Sequence, residues 1–245
     1  MPDNDSTEVT SAAAFRTTHW SLVLAANGSG TSEAGPALDQ LCRTYWTPLY
    51  AYLRRQGTAP ADAQDLVQGF LASLLERDGI AKVDRARGKF RSFLLASLKH
   101  FASNERDRTR AQKRGGRLVF VPLEEASAEE QFLAAPDLSP DEIYEQTWAL
   151  AIIEHAVARL RAEYATPERA KLFTALKPYL TGDRTEPPYV AVAAQFNLGE
   201  SGVKMAVRRM RRRFGELLRH EIAQTVSRPE EVDEEIRVLF TALRR

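Results

Sequence analysis

Residues 187–214 read PPYVAVAAQFNLGESGVKMAVRRMRRRF, and this stretch decides how the chain is interpreted. A short apolar segment, a turn marked by Asn-Leu-Gly and a longer basic segment form the pattern of a helix-turn-helix, whose second helix enters the major groove of DNA. Apolar residues of the second segment recur at i, i+4, i+7 and i+11, namely Val203, Val207, Met210 and Phe214. This spacing predicts one apolar stripe that packs against the first helix.

A different face of the same predicted helix carries hydrogen-bond donors. Ser201, Lys204, Arg208 and Arg212 repeat at i, i+3, i+7 and i+11. Hydroxyl, ammonium and guanidinium groups are the donors that contact phosphates and guanine edges. The segment therefore predicts a DNA-reading helix, and the alternative is a solvated basic helix with no nucleic-acid partner.

Charge is nearly balanced over the 245 residues, with a formal net charge of +1, but it is unevenly distributed. Residues 77–117 contain thirteen basic and four acidic residues, and residues 199–220 contain seven basic and two acidic ones. Between them, residues 118–145 contain eight acidic residues and no basic one. This segregation predicts two separate polyanion-binding faces joined by an acidic connector.

Several classes of protein are disfavoured by composition. The single cysteine, Cys42, leaves no intramolecular disulfide and fits a reducing cytosol. No apolar run approaches the roughly 20 residues that span a bilayer, and the N-terminus has no apolar signal core. No metal-binding, phosphate-loop or nucleophile motif occurs. We therefore expect a cytoplasmic protein that is not an enzyme and has no cofactor, no metal and no membrane partner.

Apolar residues keep helical spacing along most of the chain and predict an all-α fold of two small helical bundles joined by an acidic flexible linker. Pro60 and the Ser139–Glu142 capping box mark helix starts, and a final helix is expected to turn Val232, Ile236, Leu239 and Phe240 inward. The only β-rich run is 117–121. The predicted segments are an N-terminal extension (1–35), a first bundle (36–115), the linker (116–138), a second bundle with the helix-turn-helix (139–225) and a helical tail (226–245).

Two further motifs precede the helix-turn-helix. Residues 61–70 read ADAQDLVQGF, and residues 90–108 read FRSFLLASLKHFASNERDR. With three motifs in this order and spacing, the chain resembles bacterial RNA polymerase sigma factors of the extracytoplasmic-function (ECF) type, within the sigma-70 family. The resemblance covers roughly residues 38–222, and the whole chain looks most like the longer variants from planctomycete-type bacteria.

The resemblance assigns a role to each motif. The first two motifs lie in the bundle 36–115, which the resemblance identifies with sigma region 2. The first is similar to the family's helix that docks on the coiled coil of the polymerase β′ subunit, and Asp62, Asp65 and Gln68 match it. The second is similar to the segment that recognises and melts the promoter −10 element. Its matching or donor-bearing residues are Arg91, Lys99, His100, Asn104, Arg106, Arg108 and Arg110. The third, sigma region 4, is similar to the −35-reading motif, with Glu200, Ser201, Lys204, Arg208, Arg209, Arg211 and Arg212.

The resemblance implies a transcription initiation factor with core RNA polymerase (β′ coiled coil and β flap) and promoter DNA as partners. It also implies control by an anti-sigma factor or a Ser/Thr kinase. The residues alone leave another function open, that of a helix-turn-helix transcriptional regulator that binds DNA without the β′ docking step. A nucleic-acid enzyme is a third class, which the missing carboxylate cluster disfavours.

Overall fold

The computed structural model describes residues 34–75, 89–111, 128–129, 132–133, 137–181, 186–226 and 228–244. Within these ranges the chain is helical, which confirms the predicted all-α class, and the only strand-like feature is an isolated bridge. The helices are α1 (Ala34–Arg55), α2 (Pro60–Leu75), α3 (Phe90–Ala111), α4 (Pro140–Ala162), α5 (Pro167–Leu176), α6 (Pro178–Thr181), α7 (Tyr189–Gln195), α8 (Glu200–Ala223) and α9 (Glu231–Ala242).

The chain divides into two compact units. Unit 1 comprises Met1–Ala151 together with Ile222–Arg245, and unit 2 comprises Ile152–Glu221. The predicted segment boundaries at 138/139 and 225/226 stay a prediction, and helices α4 and α8 each contain residues of both units. The residues of α9 belong to unit 1 rather than forming a separate tail.

Helices α1, α2 and α3 supply much of the core of unit 1. The ring of Phe90 packs edge-on against Tyr45 at 5.0 Å, and Phe101 lies 5.7 Å from Phe70. Apolar residues at helical spacing are buried on each helix: Leu49, Tyr52 and Leu53 on α1; Ala63, Val67, Phe70 and Leu74 on α2; Phe90, Leu94 and Leu98 on α3. Burial of each large side chain contributes about 1.5–3 kcal/mol, so these stripes fix the faces that the helices turn outward.

Local sequence sets the helix boundaries. Gly57 has φ +85°, a conformation that glycine adopts without strain, and it separates α1 from the helix that begins at Pro60. At the start of α4 the predicted capping box is present. The Ser139 hydroxyl donates to Glu142 Oε2 at 2.6 Å, and the Ser139 backbone N–H donates to the same oxygen at 3.0 Å.

In unit 2, a short helix, a tight turn and a longer helix follow one another over the segment where the helix-turn-helix was predicted. Helix α7 ends at Gln195, Asn197 adopts φ +51°, and the Leu198 N–H donates to the Ala193 carbonyl at 2.9 Å. Asparagine tolerates this left-handed conformation better than most residues, so a tight turn leads directly into α8. Val203, Val207 and Met210 are buried and Phe214 is half-buried, which confirms the predicted stripe.

The prediction for the last helix was wrong in one respect. Val232 and Leu239 are buried and Ile236 is half-buried, but Phe240 is 49% exposed. Helix α9 instead buries positions 232, 235, 239 and 242, a stripe at i, i+3, i+7 and i+10 that includes the carboxylate of Glu235. Residues 1–33, the run 117–121 and most of the predicted linker lie outside the described residues.

Candidate nucleic-acid interfaces

The outer face of α8 is basic and exposed. Arg208 and Arg209 make no hydrogen bond or ion pair with the residues that the structure describes, and both side chains are exposed. Ser201 is also exposed at the first turn of the helix. Because Val203, Val207 and Met210 anchor the opposite side of α8, these donors are held on a rigid surface.

Two other cations of this face pair within the helix. Lys204 Nζ lies 2.6 Å from Glu200 Oε1, and Arg212 Nε lies 3.6 Å from Glu216 Oε1. Exposed i,i+4 pairs contribute little to stability, because solvent screens them. Competition from phosphate would therefore release both cations at small cost.

Arg211, another predicted −35 contact, forms hydrogen bonds within unit 2. Its Nε and Nη2 atoms donate to the Tyr179 carbonyl at 2.9 and 2.7 Å, so the guanidinium ties α8 to the C-terminal end of the α5–α6 segment. The Tyr179 hydroxyl in turn donates to the Pro187 carbonyl, and its ring stacks on Tyr189 at 4.9 Å. The hydrogen bonds of Arg211 tie α8 to α6, while the Arg211 residue remains exposed.

A groove of about 410 Å³ lies beside α8 within unit 2. Leu160, Leu172 and Met210 supply its apolar lining, and Arg169, Arg209, Arg212 and Arg213 supply basic groups. Arg213 also donates to Glu163 at 2.7 Å, and this hydrogen bond lowers the pKa of the Glu163 carboxyl. Such a lining fits a segment that combines apolar and acidic side chains.

Helix α3 carries the second predicted set of DNA-binding residues. His100, Asn104 and Arg106 are exposed along its outer face, and the side chains of Arg108 and Arg110 lie outside the described residues. Lys99 Nζ lies 2.7 Å from Asp141 Oδ1 and 5.3 Å from the centre of the Tyr52 ring. Although burial opposes it, the hydrogen bond to Asp141 raises the pKa of Lys99, so the lysine is cationic at neutral pH.

Arg91 is the exception among these predicted DNA contacts, because it is only 9% exposed. Its guanidinium lies 3.1 Å from Glu235 Oε2, 3.1 Å from Glu145 Oε1 and 4.8 Å from the centre of the Trp148 ring. An arginine held by two carboxylates and an indole is not open to DNA in this conformation. The sequence indicated the charge of Arg91 but not these partners, since Glu145 and Glu235 lie 54 and 144 positions away.

The residues proposed for docking lie on α2. Asp62 and Asp65 are exposed and Gln68 is half-buried, while Ala63 and Val67 turn into the core. Asp62 also occupies the first turn of the helix, where a carboxylate is favoured by the helix dipole. The structure therefore brings the two predicted carboxylates to one outward face.

Part of the predicted acidic connector is held against α1. Glu129 accepts hydrogen bonds from Tyr50 at 2.7 Å and from both Nε and Nη2 of Arg54 at 3.1 and 2.7 Å. The guanidinium groups of Arg54 and Arg55 lie 4.9 and 4.8 Å from the Phe132 ring centre. The Arg54 hydrogen bond lowers the pKa of Glu129, whereas burial followed by the Glu129 hydrogen bond raises that of Tyr50 to about 12.

Across the described ranges, no group of three or more His, Cys, Asp or Glu side chains is placed to hold a metal ion. None of the described helices is long and apolar enough to cross a membrane. Comparison of the chain with protein-family models, with curated protein sequences and with solved structures found no match.

Proposed function

We propose that the protein is a sigma factor that binds core RNA polymerase and directs promoter recognition and DNA melting in bacterial transcription initiation. In this proposal unit 2 reads the −35 element through α8. Helix α3 recognises and opens the −10 element, and α2 docks on the β′ coiled coil. The polymerase supplies the phosphoryl chemistry, and the protein itself has no catalytic residue.

The observation that carries the proposal is the exposed basic face of α8. Arg208 and Arg209 make no hydrogen bond or ion pair with the described residues, and the helix follows a tight turn after a short helix. A helix in this arrangement offers several donors to the major groove and the flanking phosphates at once. Each phosphate neutralised on duplex DNA contributes a salt-dependent gain in affinity.

Two further features support a polymerase partner over DNA alone. The exposed carboxylates Asp62 and Asp65 on α2 suit a basic docking surface, since complementary charge steers association and fixes register. The groove beside α8 has an apolar and basic lining that suits a partner segment with apolar and acidic side chains, and we assign it to the β flap. A regulator that acts by binding duplex DNA needs neither surface.

Binding to purified core RNA polymerase tests the proposal. We expect wild type to bind and Asp62→Arg/Asp65→Arg to lose about tenfold or more in affinity, because each change places a cation against a basic surface. Glu154→Arg/Glu168→Arg is the matched control, since it alters net charge equally on exposed positions of unit 2. Equal affinity of both double variants would refute the docking face.

The alternative function predicts a different pattern. A helix-turn-helix regulator without the docking step would bind duplex DNA in a manner sensitive to Arg208→Ala, yet wild type would show no affinity for core polymerase. That result would refute the sigma-factor proposal and leave α8 as the functional surface.

A further inference from the structure

The chain's own C-terminal segment covers the beginning of α3. The Phe90 N–H donates to the Thr225 carbonyl at 2.9 Å, and Lys89 forms an antiparallel bridge with Val226. The first N–H groups of a helix have no partner within the helix. Residues 225–226 therefore supply a cap to α3 and hold the start of α9 beside it.

Helix α9 then places two carboxylates on the cations at this end of α3. Glu235 contacts Arg91 Nε at 3.1 Å and Lys89 Nζ at 3.1 Å, and Glu234 lies 2.9 Å from the same Lys89 atom. Glu235 is only 1% exposed and lies in a stripe that is otherwise apolar apart from Glu231. The carboxylate thus faces Arg91, which belongs to the predicted −10-binding motif, and Lys89, which directly precedes that motif.

The chemistry of this contact matches that of a nucleic-acid phosphate. A guanidinium binds carboxylate and phosphate oxygens through the same forked geometry. Two buried polar atoms of neighbouring residues are also left without a hydrogen bond among the described residues. The buried Tyr45 Oη and Trp148 Nε1 make no hydrogen bond of normal geometry with the described residues, and buried ion pairs add little net stability over apolar packing.

We propose that α9 is an intramolecular mimic of a DNA strand. Glu234 and Glu235 occupy the positions that two phosphates take on Lys89 and Arg91, and binding of single-stranded DNA displaces the helix. The identity of the ligand rests on the proposed function of α3. In the free protein α9 suppresses strand binding, and the strand and the helix compete for one surface.

The test measures affinity of the full-length protein for a fluorescent 15-nucleotide single-stranded DNA over a range of salt concentrations. Glu235→Lys releases α9 by repulsion. Glu230→Lys, an exposed position just before the same helix, changes net charge by the same amount. We expect Glu235→Lys to bind more tightly than this control. Its salt slope should be steeper by about 1.4, because each of two phosphates on single strands contributes about 0.7.

A second measurement does not depend on the folding of a charge-reversed variant. Hydrogen exchange of the α9 amides in wild type should rise when the single strand is added at saturation. Glu235→Gln, which keeps the shape of the side chain, should shift affinity in the same direction as Glu235→Lys, relative to Glu230→Gln. Equal affinity of each variant and its control, or α9 amides that stay protected at saturation, would overturn the proposal.

These measurements contain no polymerase, so their outcome is separate from that of the docking experiment. If core polymerase fails to bind while Glu235→Lys gains affinity for the strand, the sigma-factor proposal fails and the displacement of α9 stands. If core polymerase binds while strand affinity is unchanged, the displacement fails and the sigma-factor proposal stands.

Discussion

Helices α3 and α8 are both rich in arginine and lysine, yet their cations have different surroundings. At the start of α3, Arg91 is buried between Glu145 and Glu235, and farther along Lys99 pairs with Asp141. On α8, Arg208 and Arg209 are exposed and make no hydrogen bond or ion pair with the described residues, and Lys204 pairs with Glu200 and lies 5.7 Å from the centre of the Tyr189 ring. Basic residues in similar sequence patterns can therefore be exposed on one helix and paired with carboxylates of other segments on another helix.

The largest effect we expect concerns stability. Arg91→Ala leaves Glu235 buried without its main partner, and breaking a buried pair costs about 3–5 kcal/mol. Arg208→Ala removes an exposed side chain and should change the free energy of unfolding by less than about 0.5 kcal/mol. Urea unfolding followed by circular dichroism measures both. Arg91→Lys should fall between them, because lysine keeps the charge but loses the forked geometry. Similar losses in the free energy of unfolding for Arg91→Ala and Arg208→Ala would contradict the contrast between a buried, paired arginine on α3 and an exposed one on α8.

Arg208, whose loss should barely change stability, should matter for binding to duplex DNA. Arg208→Ala/Arg209→Ala should weaken binding and lower the salt slope by about 1.8, because each lost phosphate contact removes about 0.9. Fluorescence anisotropy at several salt concentrations provides the slope. Arg211→Ala is the control. Because the Arg211 guanidinium donates to the Tyr179 carbonyl, this variant should alter the salt slope less. A slope unchanged by the double variant would mean that α8 does not carry the DNA site.

Glu129 extends the comparison to α1 and predicts a dependence on pH. Because the Arg54 hydrogen bond lowers its pKa from 4.5, the carboxylate contributes stability that is fully present above pH 4.5. That contribution is lost as pH falls through the lower pKa of the folded state. The Glu129 side chain is 29% exposed, so we expect no more than about 1 kcal/mol. Unfolding of wild type and Glu129→Gln between pH 3 and 6 should converge at the acid end; a constant difference between them would contradict this assignment.

The smallest effect concerns Lys99. Its side chain is 45% exposed, and an exposed ion pair contributes only about 0.2–1 kcal/mol. Lys99→Ala should therefore cost less than Arg91→Ala on the same helix while still weakening binding to single-stranded DNA. A stability loss as large as that of Arg91→Ala would show that the pair with Asp141 acts as a buried one.

Residues close together in sequence allowed most of the helices to be predicted. The stripe of Val203, Val207 and Met210, the start at Pro60 and the Ser139 capping box follow from helical spacing and from donors within one turn. The division into units did not follow, because α4 and α8 continue across it without a glycine or proline to mark the change.

The partners of individual side chains could not be predicted from the spacing of residues in the sequence. Nothing near Arg91 in sequence distinguishes it from Arg106, yet one is buried against α9 and the other is exposed. The pairing depends on contacts between residues far apart in the chain. The burial of Glu235 in place of Phe240 likewise depends on which face of α9 meets these cations. Glu234 and Glu235 can be read from the sequence, but the cations that they contact cannot.

Transcription itself tests the central claim most directly. Core RNA polymerase would be incubated with genomic DNA fragments from the organism that encodes the protein, with and without the protein, and the 5′ ends of the transcripts mapped. If the protein is a sigma factor, we expect discrete start sites that appear only with the protein, are preceded by two shared sequence elements and disappear with Arg208→Ala/Arg209→Ala. Transcripts with the same start sites in the presence and absence of the protein would contradict it.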